Sequence, residues 1–317
     1  MVLAAGLVGL LIVVGATWDL QARRHPADPG GRLRFASGAR GGVYSTFIAE
    51  YAKHLRARDH RLTVSVTDSG GSVDNLQQIA SGRADCAMTA ADAAALAVAG
   101  TAPFDAPVHV SAVSRVYDDY IQLVARRSSG IARIGDLVGK RVSTGVSNSG
   151  VRLIADRILD VQRIEPTALH VTPLSLQDDV AALQAGRIDA FFWSGGLPTP
   201  AVTSLLSTGV AELVPLPTVA ADLAAGYHGA YRAATIPTGA YRLPASIPTL
   251  AVPNYLVCRS DLPASVAELL TATLFGSQES IASVVPALNM LDPRSAIATD
   301  PLALLGGAAQ WFRDRKD

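Results

Sequence analysis

Four turns of the chain are built from glycine or short polar side chains: residues 38–42, 68–72 and 146–150, and a fourth turn holding Ser175 and Asp178. Each runs into a segment with helical apolar spacing, so each places unpaired backbone N–H groups at the start of a helix. Those groups and the helix dipole favour a bound anion. Serine, asparagine and glycine are also ordinary helix caps. Four such turns at corresponding positions are harder to explain by capping alone, and the chemistry they suit is non-covalent capture of a small anionic solute.

Covalent and metal chemistry have no matching constellation. The six histidines, His25, His54, His60, His109, His170 and His228, include no helical pair at metal-ligand spacing. Residues 145–150 approach a nucleophile elbow but carry one residue too many, with no placeable His/Asp partner. Residues 38–46 lack the lysine of a phosphate-binding loop. Asp118-Asp119 and Asp178-Asp179 are adjacent pairs, which a strand or helix directs to different faces rather than at one reacting atom. A protein with no catalytic residues, no metal and no cofactor is expected. Cys86 and Cys258 lie in apolar, strand-like runs too far apart for a disulfide framework or a zinc knuckle. They read as separate buried thiols, with a single disulfide open to them in an oxidising compartment.

The elements that must hold the turns form two halves with one grammar. Each half reads strand, polar turn, helix, strand, polar turn, helix, then Gly-Arg-x-Asp and a strand, the second half following roughly a hundred residues after the first, a duplicated lobe rather than a solenoid. Gly82-Arg83-Ala84-Asp85 and Gly186-Arg187-Ile188-Asp189 are the clearest copies. Such alternation predicts an α/β fold of two lobes, each a mostly parallel sheet flanked by helices, with a ligand cleft between them beyond the carboxyl ends of the strands. Residues 32–124, completed by 250–317, make lobe I, and 125–249 make lobe II. Two β-rich crossings, residues 120–125 and 249–257, join them.

Residues 1–18 are apolar and uncharged, fitting a signal peptide or a membrane anchor, and residues 19–31 read as a linker. Val14-Gly15-Ala16 supplies the small residues of a cleavage site, and export to the periplasm is expected, with tethering by residues 1–18 if they are retained. Lys and Arg number 27, Asp and Glu 27, and 49% of residues are hydrophobic. That balance excludes extensive disorder and gives no electrostatic grip on nucleic acid.

The chain resembles the TAXI-type solute-binding proteins of tripartite ATP-independent periplasmic (TRAP) transporters from Phe35 to about Pro263. The landmarks are Ala36-Ser37-Gly38 with Gly41-Gly42-Val43-Tyr44, Ser69-Gly70-Gly71-Ser72-Val73-Asp74-Asn75-Leu76, Ser147-Asn148-Ser149-Gly150 and Gly195-Gly196-Leu197-Pro198-Thr199-Pro200. The resemblance implies a monomeric, hinge-closing type II periplasmic receptor that hands a carboxylate or amino acid, such as glutamate, glutamine or 2-oxoglutarate, to the TRAP membrane permease. By motif position it implies ligand contacts from Gly41, Gly42, Tyr44 and Ser72 in one lobe. In the other it implies Ser147, Asn148, Ser149, Gly195, Gly196, Pro198 and Thr199. Arg40 and Arg152, in or beside the facing turns, are the candidate carboxylate clamps. One departure is Ala90, where the family often has glutamine, and Asp92 reads as a cap for the helix that begins there. The same bilobal fold also hosts enzymes of thiamine-pyrimidine synthesis and receptors for signalling partners, which are the alternatives.

Overall fold

The glycine turns and apolar spacings do produce alternating strands and helices. A computed structural model describes residues 31–227 and 230–315; the expected signal or anchor segment and nearly all of the linker lie outside the described residues. The first series is β1 (Gly31–Ala36), α1 (Val43–Arg58), β2 (Leu62–Thr67), α2 (Ser72–Ala80), β3 (Cys86–Ala90) and α3 (Ala91–Ala99), ending in the long β4 (Val110–Arg126). The second is β5 (Arg141–Ser143), α4 (Gly150–Val161), β6 (His170–Thr172), α5 (Leu176–Gln184) and β7 (Ala190–Gly195). Then come α6 (Pro200–Ser207), β8 (Ala211–Val214), α7 (Val219–Gly226) and β9 (Arg232–Ile236). A second long strand, β10 (Ile247–Arg259), precedes α8 (Ala264–Gly276) and α9 (Gly306–Arg313). Among the described residues no helix is long and apolar enough to cross a membrane.

The sheet order is β2-β1-β3-β10-β4-β7-β5-β6, with β8 on β4 and β9 on β10. β1, β2 and β3 are parallel to one another, as are β5, β6 and β7. β10 and β4, antiparallel to each other, run between the two sets. The expected two-lobed α/β architecture is therefore present, with both lobes built on one continuous sheet and linked through its two longest strands.

In lobe I, α1 buries Val43, Phe47, Ile48, Tyr51, Ala52 and Leu55. They share a core with Phe35, Leu270 of α8 and Trp311 of α9, and the Tyr51 hydroxyl donates to the Leu270 carbonyl at 2.6 Å. Lobe II has a core of Leu183, Phe191, Val202 and Leu213. The repeated Gly-Arg-x-Asp unit does the same work in both lobes. Gly82 and Gly186 take φ of +69° and +68°, the left-handed turn that ends a helix. Asp85 then accepts the Arg34 backbone N–H at 2.9 Å and its Nη2 at 2.8 Å, and Asp189 accepts the Arg141 N–H at 2.9 Å and its Nη2 at 2.6 Å. The third strand of each lobe is thereby tied to its first.

The cysteines depart from the sequence reading. Cys258 lies directly opposite Cys86 in the antiparallel β10–β3 ladder, and the two form a disulfide. Register brings their side chains together across neighbouring strands, although 172 residues separate them in sequence.

Candidate functional site

Two glycine turns of lobe I reach the cleft as helix N-termini with no side-chain cap. Gly42 is the N-cap of α1 and Gly71 that of α2, so the leading N–H groups of both helices are left for another partner. Gly71 has φ of +113°, a conformation that side chains other than hydrogen rarely adopt. From lobe II, α4 begins at Gly150, and the end of β7 contributes Trp193, Ser194 and Gly195. These turns, with Ala90, Asp92, Asp119 and Val252, enclose a cavity of about 50 Å³ between the lobes.

The lobes touch around it. The Asp74 N–H donates to the Asn148 carbonyl at 2.8 Å. A Cβ on Gly150 would lie 2.8 Å from Ser72 Oγ. Tyr231 donates from its hydroxyl to Asp92 Oδ2 at 2.6 Å, and Arg157 Nη1 donates to the Tyr231 oxygen at 2.7 Å while stacking 4.3 Å over the Tyr227 ring.

Polar groups on β4 and β10 gather beside the cavity. Tyr117 and Asp119 share one face of β4 by strand alternation, and Asn254 and Val252 stand opposite them on β10. Tyr44 donates its hydroxyl to Asn254 Oδ1 and lies 3.4 Å from Ser72 Oγ, which accepts the Ala90 N–H at 3.1 Å. Ser194 donates to Asp119 Oδ2 at 3.2 Å, whereas Asp119 Oδ1 is buried without a hydrogen bond. Burial lifts the Asp119 carboxyl to about 7; the Ser194 hydroxyl and the neighbouring Asn254 amide pull it down, and Asp92 pushes it further up. Trp193 walls one side, with Nε1 donating to Thr199 Oγ1 at 3.0 Å.

Of the residues expected at the site, Gly42, Tyr44, Ser72 and Gly195 line the cavity. Gly41 packs on the Gln177 side chain, and Gly196 lies against Ala287, Tyr117 and Val43. Asn148 meets lobe I through its carbonyl, while its side chain and that of Ser147 are exposed. Ser149 caps α4, accepting the Arg152 N–H at 3.0 Å. Thr199 braces Trp193 from behind, and Pro198 follows a cis peptide bond in the same loop. Arg40 pairs with Asp68 on the surface, and Arg152 with Asp156. Neither arginine lines the cavity, and its charged lining side chains, among the described residues, are the two aspartates.

Sequence reasoning passed over Asn254 and Trp193, set Asp119 aside as half of an adjacent pair, and placed Gly150 in a landmark turn without giving it a contact. The one signal for Asp119 was its pairing with Asp118: the two do face opposite ways, and Asp118 is taken up by Arg115 and Arg232. Asp92, read as a helix cap, lies instead within the first turn of α3, whose N-cap is Ala90; its Oδ1 accepts the Ala93 N–H at 2.8 Å and its other oxygen joins the contact between lobes.

A family model described as the NMT1-like family matches residues 35–315. Among solved structures, one described as a periplasmic transporter aligns with a TM-score of 0.56 at 14% identity, covering 92% of this chain and 94% of its own. A protein from Bordetella bronchiseptica RB50 aligns with a TM-score of 0.54 at 19% identity, covering 86% and 82%. The alkanesulfonate-binding protein SsuA from Xanthomonas axonopodis pv. citri, bound to MOPS, aligns with a TM-score of 0.49 at 16% identity, covering 87% and 86%. For the first two, at such identities, the likeness is one of fold.

Proposed function

Because the chain belongs to the NMT1-like family, we propose that it is an exported solute receptor that closes its two lobes around one small carboxylate-bearing molecule. The observation that carries this reading is the cavity between the lobes, bordered by the N-termini of α1, α2 and α4. Three helix starts converging on one space supply N–H donors and positive dipole ends for a carboxylate, without an arginine clamp. The fold shared with a structure described as a periplasmic transporter supports the same role. In the finer form of the proposal the receptor is of the TAXI type and acts as a monomer in the periplasm. It delivers a carboxylate or amino acid such as glutamate, glutamine or 2-oxoglutarate, chemically unchanged, to a TRAP permease.

Ligand screening by thermal shift, followed by calorimetry, tests this. A true solute at 100 times its Kd stabilises the folded state by about 2.7 kcal/mol, a readily measured rise in Tm. Dicarboxylates, keto acids and amino acids are the compounds to screen. A set that leaves Tm unmoved, or a hit recovered as a different chemical species, would remove the receptor reading.

A further inference from the structure

Resting on that receptor reading, we propose that the solute also carries a protonated amine and that Asp119 selects it by accepting the ammonium group. Asp119 is 4% exposed and lines the cavity. Its Oδ2 accepts Ser194, but its Oδ1 has no donor. A buried carboxylate oxygen left without a donor is costly, and a ligand ammonium placed in the cavity supplies both the hydrogen bond and the opposite charge.

Among the groups packed around Asp119, the Asn254 amide is a neutral donor that pulls its carboxyl down, and no group supplies a cation. Tyr44 comes from α1, Tyr117 from β4 itself, Asn254 from β10, Ser194 from β7 and Asp92 from α3. None of them is cationic. Burial raises the two tyrosine hydroxyls well above their usual range, so both stay neutral at physiological pH. Asp92 already accepts Tyr231, with Arg157 beside it, so Asp119 is the carboxylate with an oxygen to offer. With helix N-termini for a carboxylate and Asp119 for an ammonium, the cavity matches a zwitterion, and an α-amino acid is the simplest solute of that class.

Ammonium binding requires the ionised form of Asp119. Its carboxyl sits at about 7 without a cation beside it, so affinity for an amine-bearing solute rises with pH up to about 7 and then levels off.

Calorimetry on the purified full chain with matched pairs tests the proposal: L-alanine against L-lactate, L-glutamate against 2-hydroxyglutarate, and L-leucine against 2-hydroxyisocaproate. At least one amino acid is expected to bind, with its hydroxy acid weaker by about tenfold or more. Asp119→Asn keeps the shape and an acceptor for Ser194. It is expected to weaken the amino acid by about tenfold or more, abolish the pH dependence between roughly pH 5.5 and 7.5, and change the hydroxy acid by less than about threefold. A hydroxy acid that binds as tightly as its amino acid, or a variant with unchanged amino-acid affinity, overturns the proposal and leaves the receptor reading standing. Failure of every compound in both series to bind a protein that unfolds cooperatively overturns both.

Discussion

Asp179 on α5 is 1% exposed, and its Oδ1 makes no hydrogen bond. Burial lifts its carboxyl to about 7 against the pull of Ser143, the same position that Asp119 reaches in the cleft. In the unfolded chain both would titrate near about 3.9. Between those values the folded protein holds more protons than the unfolded one. The stabilising contribution is therefore complete below pH 4 and is lost as pH rises to about 7, by up to about 1.4 kcal/mol per pH unit for each group. Asp189, held low by its Arg141 hydrogen bond, acts below that window. Urea unfolding of the solute-free protein should show stability declining from about pH 4.5 to 7, with Asp179→Asn declining less steeply. A flat profile in both proteins would contradict the burial argument. Tyr44 offers a separate check, because Tyr44→Phe leaves buried Asn254 Oδ1 without its donor. A loss of about 1–3 kcal/mol in unfolding free energy is expected. Tyr44 and Ser72 were legible through the family resemblance, which marks positions beside glycine turns that open helices. Asp119 was not: which of two adjacent aspartates faces the cleft is decided by the register of β4 against β10, which puts Asn254 opposite Tyr117.

At the level of elements, the strand-turn-helix units were legible because their signals are local: a glycine, a polar turn and an apolar period within about 20–50 residues. Strand partners distant in sequence left no such mark. The pairing of β3 with β10, and with it the Cys86–Cys258 bond, joins segments 172 residues apart. The bond's contribution comes chiefly from restricting the unfolded chain, and the chain-entropy model gives up to about 5 kcal/mol for a loop of this size. Melting in the presence of a reductant, or of the Cys86→Ala, Cys258→Ala double variant, should therefore occur well below that of the oxidised protein. Identical melting with and without reductant would mean that the thiols are not joined. The cavity-facing ends of α1 and α2 follow the same local logic: their N-caps are glycines, so no side chain competes with a solute for the first N–H groups.

For the whole molecule, the position of one lobe against the other is held by the contacts between them. Gly150 makes one of the tight ones. It opens α4 with an ordinary backbone conformation, so alanine there introduces no local strain. In the arrangement seen here, however, the added methyl would sit 2.8 Å from Ser72 Oγ and 3.2 Å from Ser72 Cβ. Ser72 cannot turn aside without giving up the bond its oxygen accepts from the buried Ala90 N–H. Gly150→Ala should therefore disfavour closure while leaving each lobe intact. Its unfolding free energy is expected within about 0.5 kcal/mol of the parent, with affinity for a cavity-bound solute reduced by about tenfold or more. Small-angle scattering separates this from simple loss of a contact. The parent should compact on saturation with solute, whereas the variant at equal occupancy should stay more open or require a higher concentration to reach the same radius. A variant that binds and compacts like the parent would mean that closure does not pass through the Gly150–Ser72 approach, and that the lobes have room to meet elsewhere.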